Sequence, residues 1–143
     1  AEVAPARVAL MSAIAARIAA QGGAGLFIDY GHLQPGIGDT LQALRRHRHE
    51  DVLAGPGEAD LTSHVDFAAL AIAVRPYGLR AEMATQGEFL LGMGLIERAG
   101  ALGANADDQA RQAISDAVER LAGPDGMGEL FKVMKVLPAA RAA

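Results

Sequence analysis

Side chains that can exchange protons or hold a charged group stand together after a short apolar run in the first third of the chain. Gly25–Ile28 leads directly into Asp29, Tyr30, Gly31 and His32. A neutral histidine can accept a proton near pH 7, and a carboxylate or an aromatic ring can contact a cationic group. The pattern therefore predicts a buried strand whose carboxyl end opens into a polar site, the place where open α/β sheets bind their ligands.

Each of these side chains also has a purely structural interpretation, and the residues alone leave both open. Asp29 either contacts a cationic group or caps loop amides. Tyr30 either stacks on a ligand or fills a gap between a strand and a helix, and Gly31 suits a tight turn. His32 is either a general base or one more hydrogen-bonding residue of a polar loop.

Further polar residues downstream complete the candidates for lining the same site. They are, in chain order, Asp39, Thr40, Gln42, His47, Asp60, Thr62 and Gln86. His47 and His49 have a spacing that a metal ion could use, but two histidines without a clear third ligand do not define a metal site, and we predict none. The chain has no nucleophile elbow of the Gly-x-Ser-x-Gly type, and no residue is assigned as catalytic.

Composition and charge restrict the class of protein. The chain has 143 residues, enough for one domain with a real core, and its 51% of apolar residues exclude a disordered chain. Its net charge of −4 argues against a nucleic-acid-binding surface. The single basic cluster, Arg45–His49, is interpreted as a solvated face, with contact to an anionic substrate as the alternative. The absence of cysteine excludes disulfides and thiolate metal sites.

Neither a membrane span nor a signal peptide is predicted. The longest apolar run is far shorter than the roughly 20 residues that cross a bilayer, and Ala1–Pro5 has no basic segment. The missing initiator methionine leads us to expect that further sequence precedes Ala1.

The elements that must position the polar residues alternate between helix and strand. Apolar periodicity predicts helices over 6–20, 86–102 (broken near Gly92 and Gly94) and 107–121, and strands over 25–29, 79–84 and 130–137. Another helix is predicted to begin near His64, with Ser63 as its cap and Asp66 reaching back. Residues 31–61 are predicted to form a long loop with a short helical turn over 40–46. Strands that alternate with helices predict an α/β fold.

Three sequence blocks, in this order, resemble one known family. They are Asp29–His32, Gly38–Gln42 and Ala59–Phe67, and the resemblance extends from Glu2 to about Pro138. The family is the DUF185 (MidA-like) group of class I S-adenosylmethionine-dependent methyltransferases, which includes a mitochondrial complex I assembly factor that methylates protein arginine. The resemblance implies the C-terminal half of a Rossmann-like methyltransferase sheet, with a helical insertion over 86–121 before a last, antiparallel strand slotted between its two predecessors.

The same resemblance implies the activity and the cofactor. It implies an S-adenosylmethionine-dependent methyltransferase that modifies a protein side chain, which is arginine by analogy. It also implies that residues 1–138 are the C-terminal portion of the methyltransferase domain and that 139–143 are a tail. Such enzymes hold the cofactor mainly on the first half of the sheet, at a glycine-rich turn after a strand. This chain has no such turn, so we expect no firm cofactor-binding residue in it and little activity from it alone.

Because the chain is expected to contain only half of the sheet, the sheet is expected to need a partner at its open edge. Strand 25–29 is apolar enough to be central, yet no strand precedes it, so one edge is expected to be bare and to pair with a missing N-terminal portion or a second copy. Besides that, a protein substrate is expected, in the cytoplasm of a bacterium or in mitochondria for eukaryotic relatives. The alternative hypothesis is a non-enzymatic assembly or binding module with a methyltransferase-like half-fold; the absent cofactor motif favours it and the polar blocks weigh against it.

Overall fold

The computed structural model describes residues 3–34 and 38–139, which form six helices, seven strands and one 3-10 turn. The helices are α1 (Pro5–Gln21), α2 (Phe67–Val74), α3 (Gln86–Gly92), α4 (Leu95–Gly103), α5 (Asp108–Ala122) and α6 (Met127–Leu130). The strands are β1 (Gly25–His32), β2 (Gln42–Arg45), β3 (Arg48–Glu50), β4 (Asp60–Thr62), β5 (Val65–Asp66), β6 (Leu79–Thr85) and β7 (Phe131–Pro138). The α/β architecture that the sequence predicts is confirmed.

The larger of two sheets has the strand order β5-β1-β7-β6. β7 is antiparallel to both β1 and β6, whereas β5 is parallel to β1. The last strand is therefore slotted between two strands that run in one direction, as the family resemblance implies. Because β1, β5 and β6 share a direction, their carboxyl ends meet at the same edge of the sheet.

One face of this sheet carries α1 and α2, and the core lies between them. Met11 and Ala15 of α1 and Phe67 of α2 are almost fully buried, together with Met134 and Val136 of β7. Alternate residues of a strand point to one face, so β7 offers every second side chain to these helices. Burial of this apolar surface fixes the helices against the sheet and thereby the residues at its carboxyl edge.

β1 continues further than the sequence predicts, and α2 begins later. Gly31 and His32 pair with Val65 and Asp66, so residues 30–32 belong to the strand and not to a loop or turn. The prediction of a helix from His64 with Ser63 as its cap is wrong: Asp66 is the N-cap and its Oδ1 accepts from the Ala69 amide at 2.9 Å. Val65 and Asp66, which the capping pattern had assigned to the helix, therefore form strand β5.

A second, three-stranded antiparallel sheet, β3-β2-β4, occupies the region predicted as a loop. The helical turn predicted over 40–46 is wrong, because Gln42–Arg45 is the central strand β2, paired on both sides. Its turn to β3 consists of Arg46 and His47, both with positive φ (51° and 64°). Such two-residue turns normally carry Asn or Gly, so the hairpin has no recognisable sequence signal.

Helices α3–α6 form the insertion that precedes β7. The predicted break is confirmed: α3 ends at Gly92, and Gly94 stands before α4 in a left-handed conformation with φ 88°. A Cβ on Gly87 or Gly128 would lie 2.6 Å or 2.2 Å from the carbonyl oxygen of Ala122. These two glycines therefore allow α3 and α6 to approach the end of α5 closely.

In the part of the chain that the structure describes, the outer edge of β1 is paired only at its carboxyl end. β5 pairs with Gly31 and His32, and within the described residues no strand pairs with Gly25–Tyr30 on the side away from β7. Leu26 and Ile28 of this stretch are 54% and 47% exposed. None of the described helices has the length and apolar character that crossing a bilayer would require.

Candidate functional site

A cavity of about 410 Å³ lies where the carboxyl ends of β1 and β5 meet the start of α1. Its polar lining comes from Arg7, His32, Ser63, His64 and Asp66. Apolar side chains, among them those of Leu41 and Leu70, form much of the remaining wall. A largely apolar concave site with a few converging polar groups is the usual form of a ligand site.

Arg7 joins the first helix to the segment that leads into β5. Its Nη1 donates to the carbonyl oxygen of His64 at 2.8 Å, and its Nη2 donates to Ser63 Oγ at 2.7 Å. The guanidinium presents its donors in a rigid fork, so these bonds fix the direction of the arginine as well as its distance. Arg7 therefore holds one wall of the cavity in place.

His32 is held by contacts to one of its two ring nitrogens. Nδ1 lies 2.8 Å from the carbonyl oxygen of Gln34 and 4.0 Å from Asp66 Oδ1. Because a carbonyl oxygen can only accept, this geometry assigns the donated proton of the neutral ring to Nδ1. Nε2 then carries the lone pair, and no side chain or backbone group of the described residues is bonded to it. The arrangement can accept a proton or a hydrogen bond from a ligand.

A small group of rings packs behind the cavity-lining residue His64. The ring of Tyr30 packs edge-on between His64, at a centroid distance of 5.6 Å, and Phe131, at 5.7 Å. The backbone amide of His64 donates to Thr40 Oγ1 at 3.0 Å. Tyr30 and Thr40 thus support a cavity-lining residue, and Tyr30 fills the gap between β1, β7 and the loop before β5.

Some predicted site residues contribute to the frame of the cavity and do not line it. Gly31 lies in β1, and a Cβ there would stand 2.2 Å from the carbonyl oxygen of Val65, so its role is close strand approach and not a tight turn. Gln42 and Thr62 are direct partners in the second sheet. They lie one residue from Leu41 and Ser63, which line the cavity.

Two predicted carboxylates bond to nearby backbone. Asp29 Oδ1 accepts from the Tyr30 amide at 2.8 Å, and Asp39 Oδ1 accepts from the Leu41 amide at 3.0 Å. Asp29 also borders a separate groove of about 430 Å³ between α1 and the outer edge of β1. The structural interpretation, in which Asp29 caps an amide, agrees with its observed contact.

Three further candidates lie away from the cavity. His47 is at the exposed turn between β2 and β3, and Asp60 is in β4 beside the chain around Arg45. Gln86 follows β6 at the expected edge of the sheet, but its side chain is 94% buried and its Nε2 donates to the carbonyl oxygen of Leu121 at 2.8 Å. The expectation that Gln86 lines the same mouth is therefore corrected: it anchors α3 to α5.

Four polar residues of the cavity were not among the site candidates from the sequence: Arg7, Ser63, His64 and Asp66, the last of which was predicted only as part of a helix cap. The partners of Arg7 lie 56 and 57 residues away in sequence, so no local pattern marks it. Ser63 and His64 stand inside the third sequence block, where the predicted helix start concealed them. Within residues 3–34 and 38–139, no three His, Asp or Glu side chains are grouped in a way that could hold a metal ion.

The described residues do not form a cradle for a nucleotide-like cofactor. Leu33 and Gln34, which follow β1, are not helical, and β5 passes into α2 without a glycine. β6 passes into α3 with Gly87 near the start of the helix, but the space that a Cβ would take there is filled by the carbonyl of Ala122. That glycine serves helix packing and does not open space for a cofactor.

The sheet order, the antiparallel strand between two parallel ones and the cavity at the carboxyl edge define an α/β protein of the Rossmann-like methyltransferase type. Residues 1–85 match a family model described as a putative S-adenosyl-L-methionine-dependent methyltransferase, and the chain belongs to this family. The resemblance seen in the sequence is thereby confirmed. A crystal structure from Burkholderia thailandensis, titled a COG1565 superfamily member and likely methyl transferase bound to S-adenosyl-homocysteine, superposes with a TM-score of 0.83. Its sequence is 30% identical, and the match covers 99% of this chain and 38% of that chain.

Curated relatives carry a more specific name. The protein arginine methyltransferase NDUFAF7, mitochondrial, of Danio rerio is 37% identical over 134 residues, which are 94% of this chain and 32% of the relative. The Homo sapiens protein of the same name is 34% identical over 141 residues, which are 98% of this chain and 32% of the relative. The chain thus spans about a third of the length of these relatives.

Proposed function

We propose that this chain is the acceptor side of an S-adenosylmethionine-dependent methyltransferase that modifies a protein side chain, arginine by analogy with its relatives. In this proposal residues 1–138 are the C-terminal portion of the methyltransferase domain and 139–143 a tail. Family membership supports the type of reaction and favours it over a non-enzymatic binding module. The observation that carries the proposal is the cavity at the carboxyl ends of β1 and β5, with a histidine whose Nε2 is free to act.

The roles proposed for individual residues follow from their contacts. His32 takes a proton from a nitrogen nucleophile in the cavity, because its Nδ1 is held by the Gln34 carbonyl and its Nε2 keeps a lone pair. Asp66 Oδ1, 4.0 Å from Nδ1, places a carboxylate beside the ring that receives the proton. Arg7 keeps the opposite wall in position, which supports alignment of the acceptor. The cofactor supplies the methyl group in this family.

The cofactor is proposed to be held mainly by polypeptide outside residues 1–143. The absence of a glycine cradle in the described residues supports this, and so does the greater length of the relatives. Calorimetry of this chain with S-adenosylmethionine is therefore expected to show weak binding or none. A one-to-one complex of micromolar affinity would contradict the proposed division of the site.

The groove along the outer edge of β1 is the proposed attachment point for that polypeptide, or for a second copy of this chain. Leu10, Leu26 and Ile28 expose apolar surface there, and no strand of the described residues pairs with Gly25–Tyr30 on this side. An unpaired apolar edge favours association. Sedimentation of the chain at micromolar concentration is expected to show oligomers, whereas a sharp monomer peak would exclude self-association. A cytoplasmic location in a bacterium stays a prediction.

Transfer of a tritiated methyl group tests the proposed activity. The chain together with any sequence that flanks it in its gene is incubated with labelled S-adenosylmethionine and protein extract. Label in an arginine-containing protein is expected, and its absence under conditions in which the protein is folded and binds the cofactor would refute the proposal.

Matched variants test the roles of the cavity residues. His32→Gln and Asp66→Asn are expected to lower transfer, while Asp125→Asn on the exposed turn before α6 leaves it unchanged. Asn can still cap α2, so Asp66→Asn separates an effect on His32 from a loss of stability. Equal transfer by all three variants would show that the cavity is not the acceptor site.

A further inference from the structure

An exposed cluster of positive charge lies at the end of the second sheet. We call Arg45–His49, the turn between β2 and β3 with its flanking residues, the basic tip. Arg45 contacts Glu58 at 2.9 Å. The other four side chains of the tip are exposed, and none of them has an ion pair or hydrogen bond to the described residues. The neighbouring Asp51 accepts from the Leu53 amide at 2.8 Å and does not contact the tip.

The basic tip is built at a cost to stability. Arg45 and Arg48 are direct cross-strand partners, so two like charges stand opposite each other, which is unfavourable. Arg46 and His47 both adopt left-handed backbone conformations, which suit glycine or asparagine. Packing gives no reason for these residues, because the tip is exposed. The property that its four exposed residues share is a basic side chain.

We propose that the basic tip is a docking surface for an acidic stretch of a partner protein. Arginine guanidinium groups recognise carboxylates through paired hydrogen bonds. Without the three arginines of the tip, the remainder of the chain would carry a charge of −7 instead of −4. That remainder repels a long polyanion such as a nucleic acid. A short acidic segment, in contrast, senses mainly the charges within about 8 Å. These are the four exposed basic side chains of the tip together with the carboxylates of Glu50 and Glu58.

The position of the tip relates it to the cavity. Leu41 at the cavity wall directly precedes β2, whose last residue is Arg45 at the tip, so the two places are about 13 Å apart at roughly 3.3 Å per residue. One extended segment could therefore contact both places. Where the partner is the methylated protein, the inference rests on the proposed function, and acidic residues would lie about four positions from the modified side chain. Binding to the tip requires neither cofactor nor catalysis, so failure of the docking surface is measured separately from failure of the proposed activity.

Fluorescence anisotropy of this chain with a labelled glutamate-rich peptide tests the proposal. At about 150 mM ionic strength, where charges farther away than about 8 Å are screened, the peptide is expected to bind and its glutamine counterpart is not. R46Q/R48Q is expected to weaken binding about 5-fold, in keeping with two exposed charge contacts. R46K/R48K keeps the charge but loses the paired hydrogen bonds, so its affinity is expected to lie between those of the parent and R46Q/R48Q. R17Q/R98Q removes two exposed arginines of α1 and α4 as the matched control, with an expected change of less than about 2-fold.

Each outcome decides for or against the basic tip. Loss of peptide binding in R46Q/R48Q alone, with unchanged melting curves, supports it. No binding, or an equal loss in R17Q/R98Q, overturns it in favour of unspecific attraction. A single-stranded DNA of equal charge that binds more tightly than the peptide, and loses this binding in R46Q/R48Q, overturns the assignment to an acidic protein.

Discussion

Replacing Gly31 by alanine is expected to loosen the point at which β5 joins the larger sheet. The Cβ of an alanine would lie 2.2 Å from the carbonyl oxygen of Val65 and 2.9 Å from its nitrogen. A carbon atom normally stands about 3.3 Å or more from a carbonyl oxygen, so the backbone at Val65 must move by about 1 Å. Among the described residues, β5 makes two pairs with β1, Gly31↔Val65 and His32↔Asp66, and Val65 belongs to the first of them.

The movement of the Val65 backbone destabilises the protein because it breaks hydrogen bonds between β1 and β5. The lost β1–β5 hydrogen bonds lower the free energy of unfolding by about 1 kcal/mol each. This estimate agrees with the destabilisation of about 1–3 kcal/mol that one excess methyl group typically causes in a packed site. Replacing glycine by alanine also stabilises the protein by about 0.4–1 kcal/mol, because it lowers the conformational entropy of the unfolded chain. We therefore expect the free energy of unfolding to fall by about 2 kcal/mol.

Urea denaturation measures this change. With an m-value of about 2 kcal/mol/M, the midpoint should fall by about 1 M. Gly38→Ala is the control, because nothing lies within 4 Å of a Cβ at that position, and its midpoint should stay within about 0.3 M of the parent. An unchanged midpoint for Gly31→Ala would refute the close approach of β5 to β1, and with it the position of Asp66 beside His32.

Three further substitutions test local features by thermal or urea denaturation. Asp66→Ala removes the N-cap of α2 and should cost about 1 kcal/mol, whereas Asp66→Asn should cost little; equal losses would show that capping is not the role of this side chain. Gly100→Ala, in the interior of α4 with nothing within 4 Å, should stabilise the protein by about 0.5–1 kcal/mol, and a loss would contradict the helical position. His47→Gly relieves a positive φ of 64° and should stabilise by about 0.5–1 kcal/mol; a destabilised variant would mean that the ring makes a contact that the fold does not show.

The larger elements were predictable because their signals are local. α1 was predicted over 6–20 and spans Pro5–Gln21, since Met11, Ala15 and Ile18 recur on one face, Pro5 suits a first turn and Gly22 ends it with φ 76°. The three long strands and the break at Gly92–Gly94 likewise follow from apolar runs and glycines within a few residues of each other. The resemblance to the methyltransferase family added the order of the strands, which periodicity does not contain.

The short strands depended on partners far along the chain. β2, β4 and β5 have four, three and two residues, too few to show a period, and each exists because another strand lies beside it. Pairing of Val65 and Asp66 with the end of β1 moved the start of α2 to Phe67. The turn at Arg46–His47 lacks the residues that mark a hairpin, so only the paired strands hold it.

The sequence by itself thus determined the α/β class, the long helices and strands, and His32 as a candidate base. Tertiary structure decided which polar residues meet. Arg7 reaches Ser63 and His64 across 56 and 57 residues, and Asp66 comes within 4.0 Å of His32 through the β1–β5 pairing. His47, Asp60 and Gln86 lie elsewhere for the same reason. Helix and strand preferences act over a few neighbouring residues, whereas a cavity is formed by side chains that only the packing of distant segments brings together.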